Sequence, residues 1–94
     1  MKTPKEFNNF GEGFHQDIID LTSGMSEMIN EGIDYLNAQE LVVVKSYIEH
    51  LLSGPYTPGQ LDDIWMKTGT DIYIHDKKNR LFFEQILVEM EKRL

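Results

Sequence analysis

Two helix-start signals frame the middle of this chain and constrain its fold more than any other feature. Asn37 is an N-cap residue with Glu40 three positions on, the spacing of a capping box. Leu41, Val44, Ile48, Leu51 and Leu52 then recur at helical spacing, while Glu40, Lys45 and Glu49 fall away from that stripe. Val42 and Val43 are β-branched, but the length of the pattern predicts helix over strand. Ser53-Gly54-Pro55 ends it, with Gly54 expected as a left-handed cap. The second signal follows at once: Thr57 as N-cap, Pro58 at the first helical position and Gln60 closing a second capping box. Asp62 and Asp63 would favour the positive end of that helix dipole. Leu61, Ile64, Trp65 and Thr68 mark one face, and Gly69 stops the helix.

Three further helices are expected around this pair. Phe7, Phe10, Phe14 and Ile18 form a helical stripe from about Pro4 to Asp20, and Gly11 and Gly13 weaken it, so a short helix is expected, with a break near those glycines as the alternative to one continuous run. Ser26 to Leu36 carries Ile29, Ile33 and Leu36 on one side, with Ser26 as its cap. Gly32 there either costs stability or lets a neighbour approach closely. Lys78 to Arg93 shows Phe83, Ile86, Leu87, Met90 and Leu94 on a buried face, and Lys92 and Arg93 suit its negative end. Between the last two helices, Asp71-Ile72-Tyr73-Ile74-His75 alternates like a strand but has no partner strand. The prediction is an all-α compact bundle of about five short helices with one short extended connector, forming a single domain over residues 1–94.

The charge pattern narrows the function. The net charge is −7. From Glu6 to Met66 there are eleven acids and one base, Lys45, a net −10 for that stretch. Such a field repels phosphate backbones, which argues against a nucleic-acid partner, and it attracts a basic one. Acidity also serves solubility alone. With no cysteine, disulfides, thiolate metal sites and cysteine nucleophiles are excluded. Met1 to Phe10 has no apolar core of a signal peptide, and the longest apolar run, Leu41 to Val44, is far too short to span a bilayer. The expected location is the cytoplasm, with no membrane partner.

No catalytic constellation emerges. His15, His50 and His75 lack metal-ligand spacing, and His50 is expected at the solvent-side edge of its helix. Thr22, Ser23, Ser26, Ser46 and Ser53 fall in caps, loops or a helix flank without a paired base. Gly11-Glu12-Gly13 lacks the third glycine and the preceding strand of a phosphate loop. The reading is a non-enzyme with no cofactor and no metal. Trp65 and the phenylalanines are expected in the core. Tyr47, Tyr56 and Tyr73 are open, because tyrosine suits interfaces as well as cores. If Ile72 and Ile74 point inward, Tyr73 points out beside Asp71; alternatively its ring folds back on the core. The candidate partner-binding residues are Asp62, Asp63, Asp71, Tyr73 and Asp76.

Two segments together carry a resemblance. One is Phe14-His15-Gln16-Asp17 after a phenylalanine-bearing N-terminal stretch. The other is the order that follows: a helix, then Leu41 to Leu52 with its Leu-Leu end, then Tyr56-Thr57-Pro58-Gly59-Gln60-Leu61 opening a further helix. This resembles the small immunity proteins of bacterial contact-dependent growth inhibition systems. The family motif is often followed by tryptophan, where this chain has Ile18, and Asp71-Ile72-Tyr73 has no family role. The resemblance implies a structural use of the motif, with Phe14 anchoring the core and Gln16 and Asp17 capping backbone. It implies a chain, expected to be monomeric, that binds the C-terminal toxin domain of its cognate effector and occludes a basic active-site region. Many such toxins are nucleases, with basic substrate grooves. The alternative is an acidic regulatory adaptor or nucleic-acid mimic that inhibits an endogenous protein.

Overall fold

Helix boundaries follow from where terminal N–H and C=O groups find partners. The computed structural model describes residues 2–15, 24–74 and 78–93. Among these, five helices form: α1 (Lys5–Glu12), α2 (Met25–Asp34), α3 (Ala38–Ser53), α4 (Pro58–Met66) and α5 (Asn79–Glu91). No strand forms among the described residues. The fold is all-α, as the sequence predicts.

Both central capping boxes are present. Glu40 N–H donates to Asn37 Oδ1 at 2.8 Å, and Asn37 N–H donates back to Glu40 Oε1 at 3.0 Å. Gln60 N–H donates to Thr57 Oγ1 at 3.2 Å, and Thr57 N–H to Gln60 Oε1 at 2.8 Å. Each cap satisfies two groups that the helix itself cannot.

α1 stops at Glu12 with Gly13 at its cap, at the break expected near the two glycines, while other boundaries differ from the sequence reading. The Phe14 carbonyl instead accepts from Asp71 N–H at 3.0 Å and from the Thr70 hydroxyl at 3.3 Å, tying α1 to the connector after α4. α2 starts one residue before Ser26, with Gly24 at the cap and no side-chain bond there. Gly54 is not left-handed: its φ is −89° and ψ 172°. The following Pro55 drives Gly54 to extended backbone, which ends the helix by itself. The left-handed residue is Gly69, at φ 85°, three positions past the end of α4. Asp62 and Asp63 lie beyond the first turn of α4, so they do not serve its N-terminal dipole. Lys92 and Arg93 lie just past α5.

The core is built around rings. Trp65 is fully buried, and the ring centroids of Phe82, Phe14, Phe83, Phe7 and Phe10 lie 5.1–6.3 Å from its own. All five meet it edge-on, the geometry the ring quadrupoles favour. Its indole N–H donates to the Ile72 carbonyl at 2.9 Å, so the one polar atom of the residue is satisfied. Val44, Ile48 and Leu51 of α3, Ile29 and Ile33 of α2 and Ile86 and Met90 of α5 complete the core, as the periodicities predict. α5 packs on α2, α3 and α4, and α1 packs on α3.

The glycines that weaken the sequence pattern are contact points. A Cβ at Gly11 would fall 1.9 Å from Thr68 Oγ1, and one at Gly32 2.6 Å from Phe14 Cζ. Their missing side chains let α1 touch the end of α4 and let the Phe14 ring lie on α2.

Candidate functional site

Residues 70–74 hold the candidate surface in place. The Thr70 hydroxyl accepts from Ile72 N–H at 3.2 Å, while the Ile72 carbonyl takes the Trp65 indole proton. With both ends of Ile72 fixed, Ile72 and Ile74 turn into the core and Tyr73 turns out, at 51% exposure. This is the outward alternative of the two open in the sequence.

Tyr73 borders an apolar groove of about 430 Å³. Ile74 and Phe82 are its buried floor, and Met25 at the start of α2 and Leu81 on the first turn of α5 are its walls. Met25 and Leu81 are 47% and 63% exposed. Lys78 and Gln85 supply the polar margin. Three large apolar side chains from three different elements thus converge on one concave patch. Scattered exposed apolar residues are ordinary, but convergent ones mark interaction surfaces. Further along the same face of α5, Val88 is also exposed, two turns beyond Leu81.

α2 and α5 form one unit through a polar network. Asn30 is its hub: its amide donates to Ser26 O at 2.8 Å and to Glu89 Oε1 at 2.9 Å, and its Oδ1 accepts from Arg93 Nη2 at 2.9 Å. Arg93 also pairs with Asp34. Glu89 is buried and accepts a second bond from Gln85 at 2.7 Å. The Asn30 amide above all, with Ser26, Gln85 and the Lys92 ammonium, holds the Glu89 carboxyl below its ordinary pKa against the opposing effect of burial.

The sequence-chosen residues do not form one site. Asp62 is half-buried and accepts from the fully buried Asn79 amide at 3.1 Å, a structural tie between α4 and α5. Asp63 is exposed and lines a separate shallow depression with Tyr56, Gln60, Ile64 and Lys67. Asp71 is exposed beside the connector, where its own N–H is held by Phe14 O. Asp76, like Gln16, Asp17 and Ile18, lies outside the described residues. Tyr47 is buried with its hydroxyl 2.8 Å from Thr3 Oγ1. Tyr56 is half-buried, 3.1 Å from His50 Nε2, so His50 faces a tyrosine rather than open solvent.

Sequence reasoning missed Met25 and Leu81, and it named no residue on the acidic side of α2 as a contact. Glu27, Glu31 and Asp34 are all exposed, and α2 contains no Lys or Arg. Their i, i+4, i+7 spacing was the available signal. The single base of the acidic stretch, Lys45, pairs with Glu49 of its own helix at 3.2 Å, and Asp34 pairs with Arg93 beyond the stretch.

Catalytic geometry is not assembled among the described residues. Ser53 donates to the backbone carbonyl of His50, not to its ring, and the Thr68 hydroxyl donates to Trp65 O. No group of three or more potential metal ligands converges among the described residues, and no helix there is long and apolar enough to cross a membrane.

No family model, curated protein or solved structure matches this chain.

Proposed function

We propose that this chain acts by binding a protein, and that the partner is a toxin domain it neutralises, in the manner of the contact-dependent growth inhibition immunity proteins it resembles. The observation that carries the reading is the groove: Met25, Tyr73 and Leu81 are left exposed together on a chain of net charge −7. A domain of this size places such side chains in water at a cost unless a partner covers them. The acidic surface would speed encounter with a basic toxin face and suppress other partners. A monomer in the cytoplasm, with no cofactor and no chemistry of its own, suffices for this role.

The order of elements supports the same reading. Phe14, the first residue of the aromatic-His-Gln-Asp motif, is a core anchor, as the resemblance implies. A nucleic-acid mimic would need only the carboxylates, and an exposed Leu81 gives it nothing. The test is protection: co-expressing this chain with the toxin domain encoded immediately upstream should restore growth of the host. Equal killing with and without the chain would defeat the reading.

A further inference from the structure

We propose that the partner fills the Tyr73 groove with an apolar side chain flanked by a carboxylate, and that this carboxylate pairs with Lys78. The proposal rests on the binding reading above and adds the chemistry of the partner's contact segment.

The lining of the groove selects that chemistry. An apolar side chain entering this space of about 430 Å³ leaves water and covers Met25, Tyr73 and Leu81, which is favourable. Two polar side chains stand on the margin. The Gln85 amide already donates to Glu89 at 2.7 Å. Lys78 is exposed and makes no hydrogen bond or ion pair among the described residues. No acid lines the groove, although acids outnumber bases sixteen to nine in the chain. The one charge of the lining is therefore positive and unanswered. Phe82 N–H donates to Lys78 O at 3.0 Å, so Lys78 lies at one end of the groove, one turn before Phe82. A partner covering Leu81 and Phe82 would strip water from the ammonium, and a desolvated charge without a partner is costly. A carboxylate beside the apolar side chain removes that cost. Elsewhere the acidic surface favours a basic face, and here the sign reverses. A partner that placed Lys or Arg over the groove would set like charges together, so Lys78 discriminates between basic partners.

Other occupants fit less well. The described residues offer no strand edge, so an extended segment cannot be bound by strand addition. A second copy of this chain would bring the same patch against itself, with Lys78 again and no acid in the lining. A free carboxylate amphiphile shares the chemistry but approaches a chain of net −7 with nothing to offset the repulsion, whereas a toxin with a basic face is drawn in.

The test uses the whole chain and the toxin domain encoded immediately upstream. A double-mutant cycle sets Lys78→Met against Asn and Gln replacements of the toxin's surface Asp and Glu residues. Methionine keeps an apolar stem and removes the charge. Lys78 is exposed, so the variant should keep the wild-type Tm. Lys78→Met should weaken toxin binding by about tenfold or more, and one toxin acid should lose its effect in the Lys78→Met background. Toxin binding with no acid coupled to Lys78 would overturn the proposal and leave the toxin reading intact. A second arm titrates the chain with octanoate as the probe and octylammonium as the control of sign, read by amide NMR. Shifts centred on Met25, Tyr73, Lys78, Leu81 and Gln85 with octanoate, and not with octylammonium, are expected. Equal shifts with the two probes, or none with octanoate, would overturn the proposal. Octanoate binding at this groove without any toxin binding would uphold its preference for a carboxylate and remove the toxin.

Discussion

Gly11→Ala sets two effects against each other, and the structure decides which wins. In an isolated helix, alanine is better than glycine by about 1 kcal/mol. In this fold the new Cβ would sit 1.9 Å from Thr68 Oγ1 and 2.3 Å from Thr68 Cβ. Rotating Thr68 moves the hydroxyl but not its Cβ. Ordinary contact begins near 3.4 Å, so α1 and the end of α4 must part by about 1 Å. Thr68 is buried and its hydroxyl is bonded to Trp65 O at 2.7 Å, so it has little room to yield. Overpacking of this kind costs about 1–3 kcal/mol, and an overlap with a backbone-fixed Cβ belongs at or beyond the upper end. After subtracting the propensity gain, the net loss is about 2 kcal/mol. For a domain of this size that lowers Tm by about 8–16 °C. Urea and thermal unfolding followed by the fluorescence of Trp65, the only tryptophan, read it directly. Gly59→Ala is the matched control, because its Cβ would meet only Thr57 Oγ1 at 3.9 Å. It should stabilise by about 0.4–1 kcal/mol. An unchanged or raised Tm for Gly11→Ala would refute the packing argument.

The remaining predictions concern polar groups. Asp62→Ala should cost about 1–3 kcal/mol, because it removes the acceptor of the buried Asn79 amide. Asp63→Ala, one residue on and exposed, should stay within about 0.5 kcal/mol in the same urea titration. Glu89 has a folded-state pKa below its unfolded value, so its contribution is fully present above the ordinary carboxylate range and is lost as pH falls through the depressed folded value. Glu89→Gln should therefore flatten the fall of stability in acid, measured as urea midpoints across that range. A variant that loses stability in acid as steeply as the parent would show that Glu89 is not the group responsible.

Local signals in the sequence were legible and nonlocal ones were not. The boxes at Asn37–Glu40 and Thr57–Gln60 need only residues three apart, so they read directly from the chain. Gly54 misleads because its neighbour Pro55, not its own freedom, sets its backbone. The bond from Thr70 to the Phe14 carbonyl spans 56 residues, and the bond from Asn30 to Glu89 spans 59. Neither is visible in a helical period. At the candidate site, the alternation Ile72-Tyr73-Ile74 left two orientations of Tyr73 open, and the outward one holds because both flanking isoleucines reach the core. The groove itself required Met25, Tyr73 and Leu81 to meet from three elements, and only the packing of α5 on α2 brings them together. Asp62 shows the converse: an acid chosen for its charge is held by a buried asparagine.

We propose that this acidic, grooved bundle works by binding a basic toxin. Calorimetry of the purified chain against the toxin domain encoded immediately upstream, repeated as ionic strength is raised, tests it most directly. The account predicts one-to-one association with a Kd below about 1 µM in low salt and an association rate that falls steeply as salt screens the charges. No association at micromolar concentrations in low salt would contradict it.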